Sequence, residues 1–166
     1  MKSKYSLNIV AQGERELVMT RTFDAPRELV FDAMTKPDLL RRWLFGPVGW
    51  TMTVCNVDLR VGGKYRYEWR KDDGTEMGMG GVYREIVRPS RLVTTELFDQ
   101  DWTGGEASAT AVFEEKDGAT TLTTTMLYAS RESRDAVMKS GMERGVAAGY
   151  DRLDDIFASI AEGAAG

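Results

Sequence analysis

The sequence predicts an α+β domain: a curved antiparallel sheet of about seven strands wrapped on a long C-terminal helix, with two short helices after the first strand. Three observations carry this. Between Trp50 and Tyr128, strand-like segments are separated by turn signals at Gly62-Gly63, Asp72-Asp73-Gly74, Arg88-Pro89-Ser90 and Asp117-Gly118. From Ser130 to Ile160 the apolar residues instead recur at a helical period. Pro26 and Pro37 each stand where a helix can begin, because a first-turn residue has no intrahelical partner for its N–H.

Residues 1–13 read as a tail or an added edge strand, 14–160 as one domain, and 161–166 as a disordered tail. Glu14–Phe23 alternates as a first strand. Asp24-Ala25-Pro26 then opens a helix, with Asp24 supplying a capping oxygen. Leu29, Val30, Ala33 and Met34 keep helical spacing until Lys36-Pro37 breaks it. A second short helix, Pro37–Trp43, carries Leu39, Leu40 and Trp43. The meander follows as Trp50–Leu59, Tyr65–Arg70, Glu76–Val87, Leu92–Phe98, Ala107–Glu115 and Thr120–Tyr128. Successive strand side chains point to opposite sides, so Tyr65, Tyr67 and Trp69 share a buried face while Lys64, Arg66, Glu68 and Arg70 face water.

In the last element Ser130 is placed to cap, and Met138, Met142, Val146, Leu153, Phe157 and Ile160 fall on one face. Gly141, Gly145 and Gly149 follow one another at i, i+4. Interior glycines cost ~0.5–1 kcal/mol each relative to Ala, so something should offset them. Three readings stand open: close approach of the helix to the sheet, open volume for a ligand, or a contact between two copies.

Composition narrows the function classes. With 166 residues, 42% hydrophobic and 29% charged, the chain fits one domain that buries roughly 70% of its unfolded surface. It contains no run long enough for a membrane span, and Met1–Gly13 lacks the features of a signal peptide, so a cytoplasmic protein is expected. Cys55 is the single cysteine; it cannot form an internal disulfide or a cysteine zinc site and is expected to be a small buried apolar residue. A net charge of −4 and a pI near 5.0 argue against nucleic acid. The chain has no histidine. Serine–His and cysteine–His catalysis are thereby excluded, catalysis would have to use carboxylates, Tyr or Lys, and a non-enzymatic role is favoured, with no metal and no cofactor.

The segments Phe23-Asp-Ala-Pro-Arg-Glu-Leu-Val-Phe-Asp-Ala33, Arg42-Trp43, Asp58-Leu-Arg-Val-Gly-Gly63, Gly81-Val-Tyr-Arg-Glu-Ile86, Arg91-Leu-Val93, Ser140-Gly-Met142 and Gly145 through Leu153 resemble the START-like (SRPBCC) superfamily, which includes the birch-pollen allergen and polyketide cyclases. The similarity runs from Leu17 to Phe157. It lies in the branch similar to the C-terminal domain of activators of a heat-shock chaperone ATPase. The resemblance implies the helix-grip fold, with an apolar cavity between sheet and long helix. Its candidate lining is Trp43, Trp50, Tyr65, Tyr67, Trp69, Met126, Tyr128, Met138, Met142 and Gly145. Tyr and Trp would supply polar handles in such a pocket and Met would adapt to irregular ligands, although the same residues would equally serve as packed core.

The expected function is an intracellular binding domain for a hydrophobic or aromatic small molecule, monomeric or homodimeric. A chaperone ATPase co-regulator acting through its surface, and a weak cyclase- or hydrolase-like enzyme using Tyr and carboxylates, are the alternatives. Elsewhere, Asp58 is expected to pair with Arg60, or either of them with Glu85 across the sheet. Gly62-Gly63 reads as a tight turn without phosphate-binding context, and Asp99 and Asp101 beside Trp102 as a solvated loop.

Overall fold

In the computed structural model, which describes residues 4–100 and 104–165, the chain alternates between two strands, two helices, six strands and two helices. The elements are β1 (Asn8–Gln12), β2 (Glu16–Phe23), α1 (Arg27–Thr35), α2 (Pro37–Trp43), β3 (Trp50–Val57), β4 (Lys64–Lys71), β5 (Glu76–Val87), β6 (Arg91–Phe98), β7 (Ala107–Lys116), β8 (Ala119–Leu127), α3 (Arg131–Lys139) and α4 (Met142–Ala165). One eight-stranded sheet has the order β1-β2-β8-β7-β6-β5-β4-β3, and every neighbouring pair is antiparallel. The meander β3 to β8 is thus continued by β2, and the residues expected as a tail or edge strand supply β1. No helix among the described residues is long and apolar enough to cross a membrane.

The helix pair is fixed by packing and by one indole. Val30, Phe31 and Ala33 of α1 are buried, the Phe31 ring lies 5.2 Å from that of Phe113 on β7, and Trp43 Nε1 donates to Ala33 O at 2.8 Å. Pro37 opens α2 as expected. Asp24 does not cap α1: the residue before the helix is Pro26, and the Asp24 carboxylate accepts instead from Tyr5 Oη at 2.9 Å and pairs with Lys4. Those two partners come from the segment ahead of β1, which no local pattern around the helix start could reveal.

The expected single C-terminal helix is divided. Ser130 does cap α3, accepting from Ser133 N at 3.0 Å, but the chain breaks at Ser140-Gly141, where Gly141 adopts φ +83°. This left-handed conformation disfavours residues with a Cβ and suits glycine. The three glycines therefore do different things. Gly141 separates α3 from α4. Gly145 is exposed, and a Cβ there would meet nothing within 4 Å. Gly149 lets α4 approach α2, since a Cβ would lie 3.2 Å from Cε3 of Trp43. The close approach is to a helix and not to the sheet.

Beyond Gly149, the inward face of α4 is core. Tyr150, Leu153, Ile156 and Phe157 are buried, with Tyr150 and Phe157 edge-on to Phe23 at 5.4 and 5.6 Å. Arg21 of β2, 1% exposed, reaches Asp154 at 2.5 Å and Asp151 at 3.1 Å. The helix continues to Ala165, so the stretch expected as a tail from 161 is helical as far as it is described. Two substitutions separate the glycines. Gly145→Ala should stabilise the protein by ~0.5–1 kcal/mol through helix propensity, whereas Gly149→Leu should cost ~1–3 kcal/mol by overpacking against Trp43; thermal unfolding of both variants measures the contrast.

Candidate functional site

Strand register determines which side chains share the inner face, because directly paired residues on antiparallel neighbours point to the same side. From Tyr65, Tyr67 and Trp69 on β4 the face passes to Gly81, Met79 and Met77 on β5. It continues from Met79 to Phe98 and from Tyr83 to Thr94 on β6, which places Glu96 on the same face. Across β7 the partners of Leu92, Thr94 and Glu96 are Ala111, Ala109 and Ala107. Met126 and Thr124 follow on β8, then Leu17 and Met19 on β2. Large side chains thus occupy both flanks, while the middle of the inner face is floored by Gly81, Ala107, Ala109 and Ala111 around Glu96.

The apolar core divides at this floor. One cluster holds Tyr65, Tyr67, Tyr83, Trp43 and the second half of α4; the other holds Leu17, Met19, Met126, Tyr128 and Val137. Val146, in the glycine-flanked first half of α4, packs against both. Met79, Thr94, Glu96, Ala109, Ala111 and Thr124 all keep part of their surface accessible. We take this stretch of the inner face as the candidate site and call it the chamber, with the central strands below and Val137 of α3 and Val146 of α4 packed over its sides.

Its chemistry is set by one carboxyl and several phenols. Burial raises Glu96 from 4.5 to about 7, since an ionised carboxylate loses hydration that nothing replaces. Among the described residues no hydrogen bond or ion pair reaches it. Burial, and next the Glu96 charge, raise Tyr65 and Tyr128; burial followed by the neighbouring phenols, and then by Cys55 and Glu96, raises Tyr67. All stay protonated donors. Tyr65 Oη crosses Gly81 to donate to Thr95 O at 2.5 Å, and a Cβ on Gly81 would collide with both oxygens. The rings of Tyr67 and Tyr83 lie 5.0 and 5.5 Å from that of Tyr65. Tyr83, 2% exposed, carries the one buried side-chain polar atom without a hydrogen-bond partner among the described residues.

The ten residues expected to line a cavity separate. Tyr65 and Tyr67 belong to the first cluster, Met126 and Tyr128 to the second, and Met142 packs against the second. Trp43 is core under Gly149, Trp69 Nε1 is engaged with Leu44 O at 2.7 Å, and Trp50 is partly exposed at the start of edge strand β3. Met138 is 41% exposed and Gly145 sits on the exposed flank of α4. Glu96, Tyr83 and the alanine floor went unread. Glu96 had a signal, its even spacing from buried Leu92 within one strand, and Tyr83 lay inside a quoted motif.

Other groups are occupied elsewhere. Arg60 pairs with Asp58 at 2.8 Å, Glu85 pairs with Arg91, and Asp99 holds Arg66 through two hydrogen bonds of 2.5 and 2.6 Å. Asp101 and Trp102 lie outside the described residues. The Arg66–Asp99 pair spans an open groove of ≈ 420 Å³ on the convex side of the sheet, away from the aromatic face. Gly62-Gly63 leads into β4, not into a helix. Cys55 is buried, which pushes its thiol up. Among the described residues no cluster of His, Cys, Asp or Glu is arranged to hold a metal ion.

Residues 24–158 match the family model described as activator of Hsp90 ATPase homolog 1-like protein. The chain belongs to this family. Among solved structures, a Rhodobacter sphaeroides protein of 34% identity superposes with a TM-score of 0.88 over 93% of this chain and 99% of its own. A Nitrosomonas europaea protein shares the fold at 23% identity and TM-score 0.79, covering 92% and 99% of the two chains. A Plasmodium falciparum protein described as an HSP90 activator does so at 24% identity and TM-score 0.57, covering 79% and 89%. No curated protein is matched. The START-like, helix-grip assignment made from the motifs is thus confirmed for this family member.

Glu96 provides a pH test. With a folded value of about 7 against 4.5, the folded state between these pH values retains a proton that the unfolded chain has released. Stability then falls as pH rises through this window, and the loss is complete above it. Glu96→Gln removes that dependence. The variant should exceed the wild type by roughly 1–3 kcal/mol near pH 8, with the gap closing below about pH 4.5. Urea unfolding across that range checks it; a difference independent of pH would contradict the assigned burial.

Proposed function

We propose that the protein is an intracellular binding domain for a hydrophobic or aromatic small molecule, held in the chamber between the central strands and α3–α4. The observation that carries this reading is the floor of small residues, Gly81, Ala107, Ala109 and Ala111, lying between two apolar clusters under a helix whose nearby face is itself poor in large side chains. Small residues on a sheet are matched by large ones opposite when the interior is close-packed, and here the facing turns of α4 carry Gly145, Ala147 and Ala148. Tyr65, Tyr67 and Tyr128 offer flat faces with polar ends, and Met126 and Met142 adapt to irregular shapes, which is the composition of an apolar pocket with a few orienting groups. The absence of histidine leaves Glu96 as the group suited to proton transfer near neutral pH, and a cyclase- or hydrolase-like activity would have to run on it.

The family description favours a second reading, in which the domain stimulates a heat-shock chaperone ATPase through its surface. The first reading places function inside the fold and the second on its surface. Titration with an apolar fluorescent probe tests the first. The wild type should bind saturably with a change in Trp emission, and Ala109→Leu, which fills the floor, should weaken binding at least about tenfold while the protein stays folded. Binding unchanged in Ala109→Leu would remove the chamber as the site. Stimulation of a chaperone ATPase by both proteins alike would support the surface reading.

A further inference from the structure

An inner-face carboxylate needs a counter-charge, and among the described residues no ion pair supplies one to Glu96. The buried arginines are engaged with other partners: Arg21 with Asp151 and Asp154, and Arg134 with Glu16 O and Asp135. Arg152 lies over the Phe45 ring and donates to Trp43 O and Gly46 O. Charged Glu143 and Arg144 in the first turn of α4 are exposed. The groups that do act with Glu96 are Tyr65 and Tyr67 from β4 and Tyr128 beyond β8, all kept neutral by burial. Glu106, ahead of β7, adds a further negative charge near Tyr65. The Tyr83 ring lies 5.5 Å from that of Tyr65, and its buried hydroxyl makes no geometrically formed hydrogen bond among the described residues. The site thus offers a lone acceptor charge, phenol faces and a buried hydroxyl.

We propose that the chamber takes a protonated amine carried on an apolar body, with the ammonium paired to the Glu96 carboxylate and its remaining N–H bonds within the tyrosine group. The proposal rests on the chamber reading above and specifies its ligand class. An ammonium answers each feature. It satisfies an otherwise uncompensated carboxylate, stands favourably against the negative faces of Tyr rings, and can donate to the Tyr83 oxygen. Its apolar body would extend toward Met126, Met142 and Leu17. A carboxylate ligand would face Glu96 and Glu106 with like charge, and a neutral alcohol would leave the Glu96 charge unpaired.

The test compares three probes of one shape, 2-naphthylethylamine, 2-naphthylethanol and 2-naphthylacetate, by calorimetric titration of the intact chain near pH 6 and pH 8. Near pH 8 the amine should bind at least about tenfold more tightly than the alcohol, with the acetate weakest. The amine preference should shrink near pH 6, where Glu96 is protonated in the free protein. In Glu96→Gln the preference should disappear while alcohol binding stays. Alcohol binding equal to amine binding in the wild type, or a preference that survives in Glu96→Gln, would overturn the amine assignment and leave the chamber reading standing. Failure of all three probes to bind would overturn both.

Discussion

The arrangement depends on where α4 is fastened. Arg21 projects from the inner face of β2, is almost wholly buried, and is held by Asp154 and Asp151 one turn and less apart on the helix. Two acceptors for one guanidinium set both the height and the rotation of α4 over the sheet, and the Phe23 ring beneath Arg21 lies against Tyr150 and Phe157 on the same helix face. An unpartnered buried charge costs several kcal/mol, so the pairing tolerates little displacement. The inward face C-terminal to Gly149, with Tyr150, Leu153, Ile156 and Phe157, is therefore core. Everything N-terminal to it is a roof supported from one end, with Val146 its principal apolar contact.

Under that roof, the pleat allows only alternate residues of each strand to face inward, and the bulge between Tyr83 and Glu85 shifts the register once in β5. Small residues then gather where β5 and β7 cross the middle of the face on either side of Glu96 on β6, while Tyr and Met gather at the sides. Glu96 is the exception to apolar lining. Its burial disfavours the charged form, and a structure selected for stability alone would not keep it. A carboxyl retained on an inner face, in a group of phenols that burial keeps protonated, is the polar exception to this lining.

Much of the fold could be read from local pattern. The alternation in Lys64–Arg70, the Ser130 cap, the proline that starts α2 and the turn glycines each depend on a few adjacent residues, and the structure has them as expected. The parts that could not be read depend on distant residues. Asp24 is captured by Lys4 and Tyr5, and Arg21 finds partners 130 and 133 positions away. A glycine at helical spacing looks the same whether it lies within a helix, as Gly145 does, or ends one, as Gly141 does. The chamber was half legible. Tyr65 and Tyr67 announced an inner face, but finding Glu96 and the alanines opposite it required the register of four strands, and assigning Trp43 and Trp69 to packing required knowing that Ala33 O and Leu44 O accept their N–H groups.

The joint at Ser140-Gly141 has a mechanical meaning. An unbroken helix would tie the two apolar clusters to one rigid rod, and any displacement over one would be levered onto the other. With the rod cut, α3 packs on β2 and the cluster of Leu17, Met126 and Tyr128, while α4 packs on α2 and Phe23 and, among the described residues, touches that cluster only through its first two turns, at Met142 and Val146. The direction of α3 is thereby freed from that of α4, so the helix over the Leu17 cluster can settle on its own contacts while the Arg21 clamp keeps the geometry of the other half.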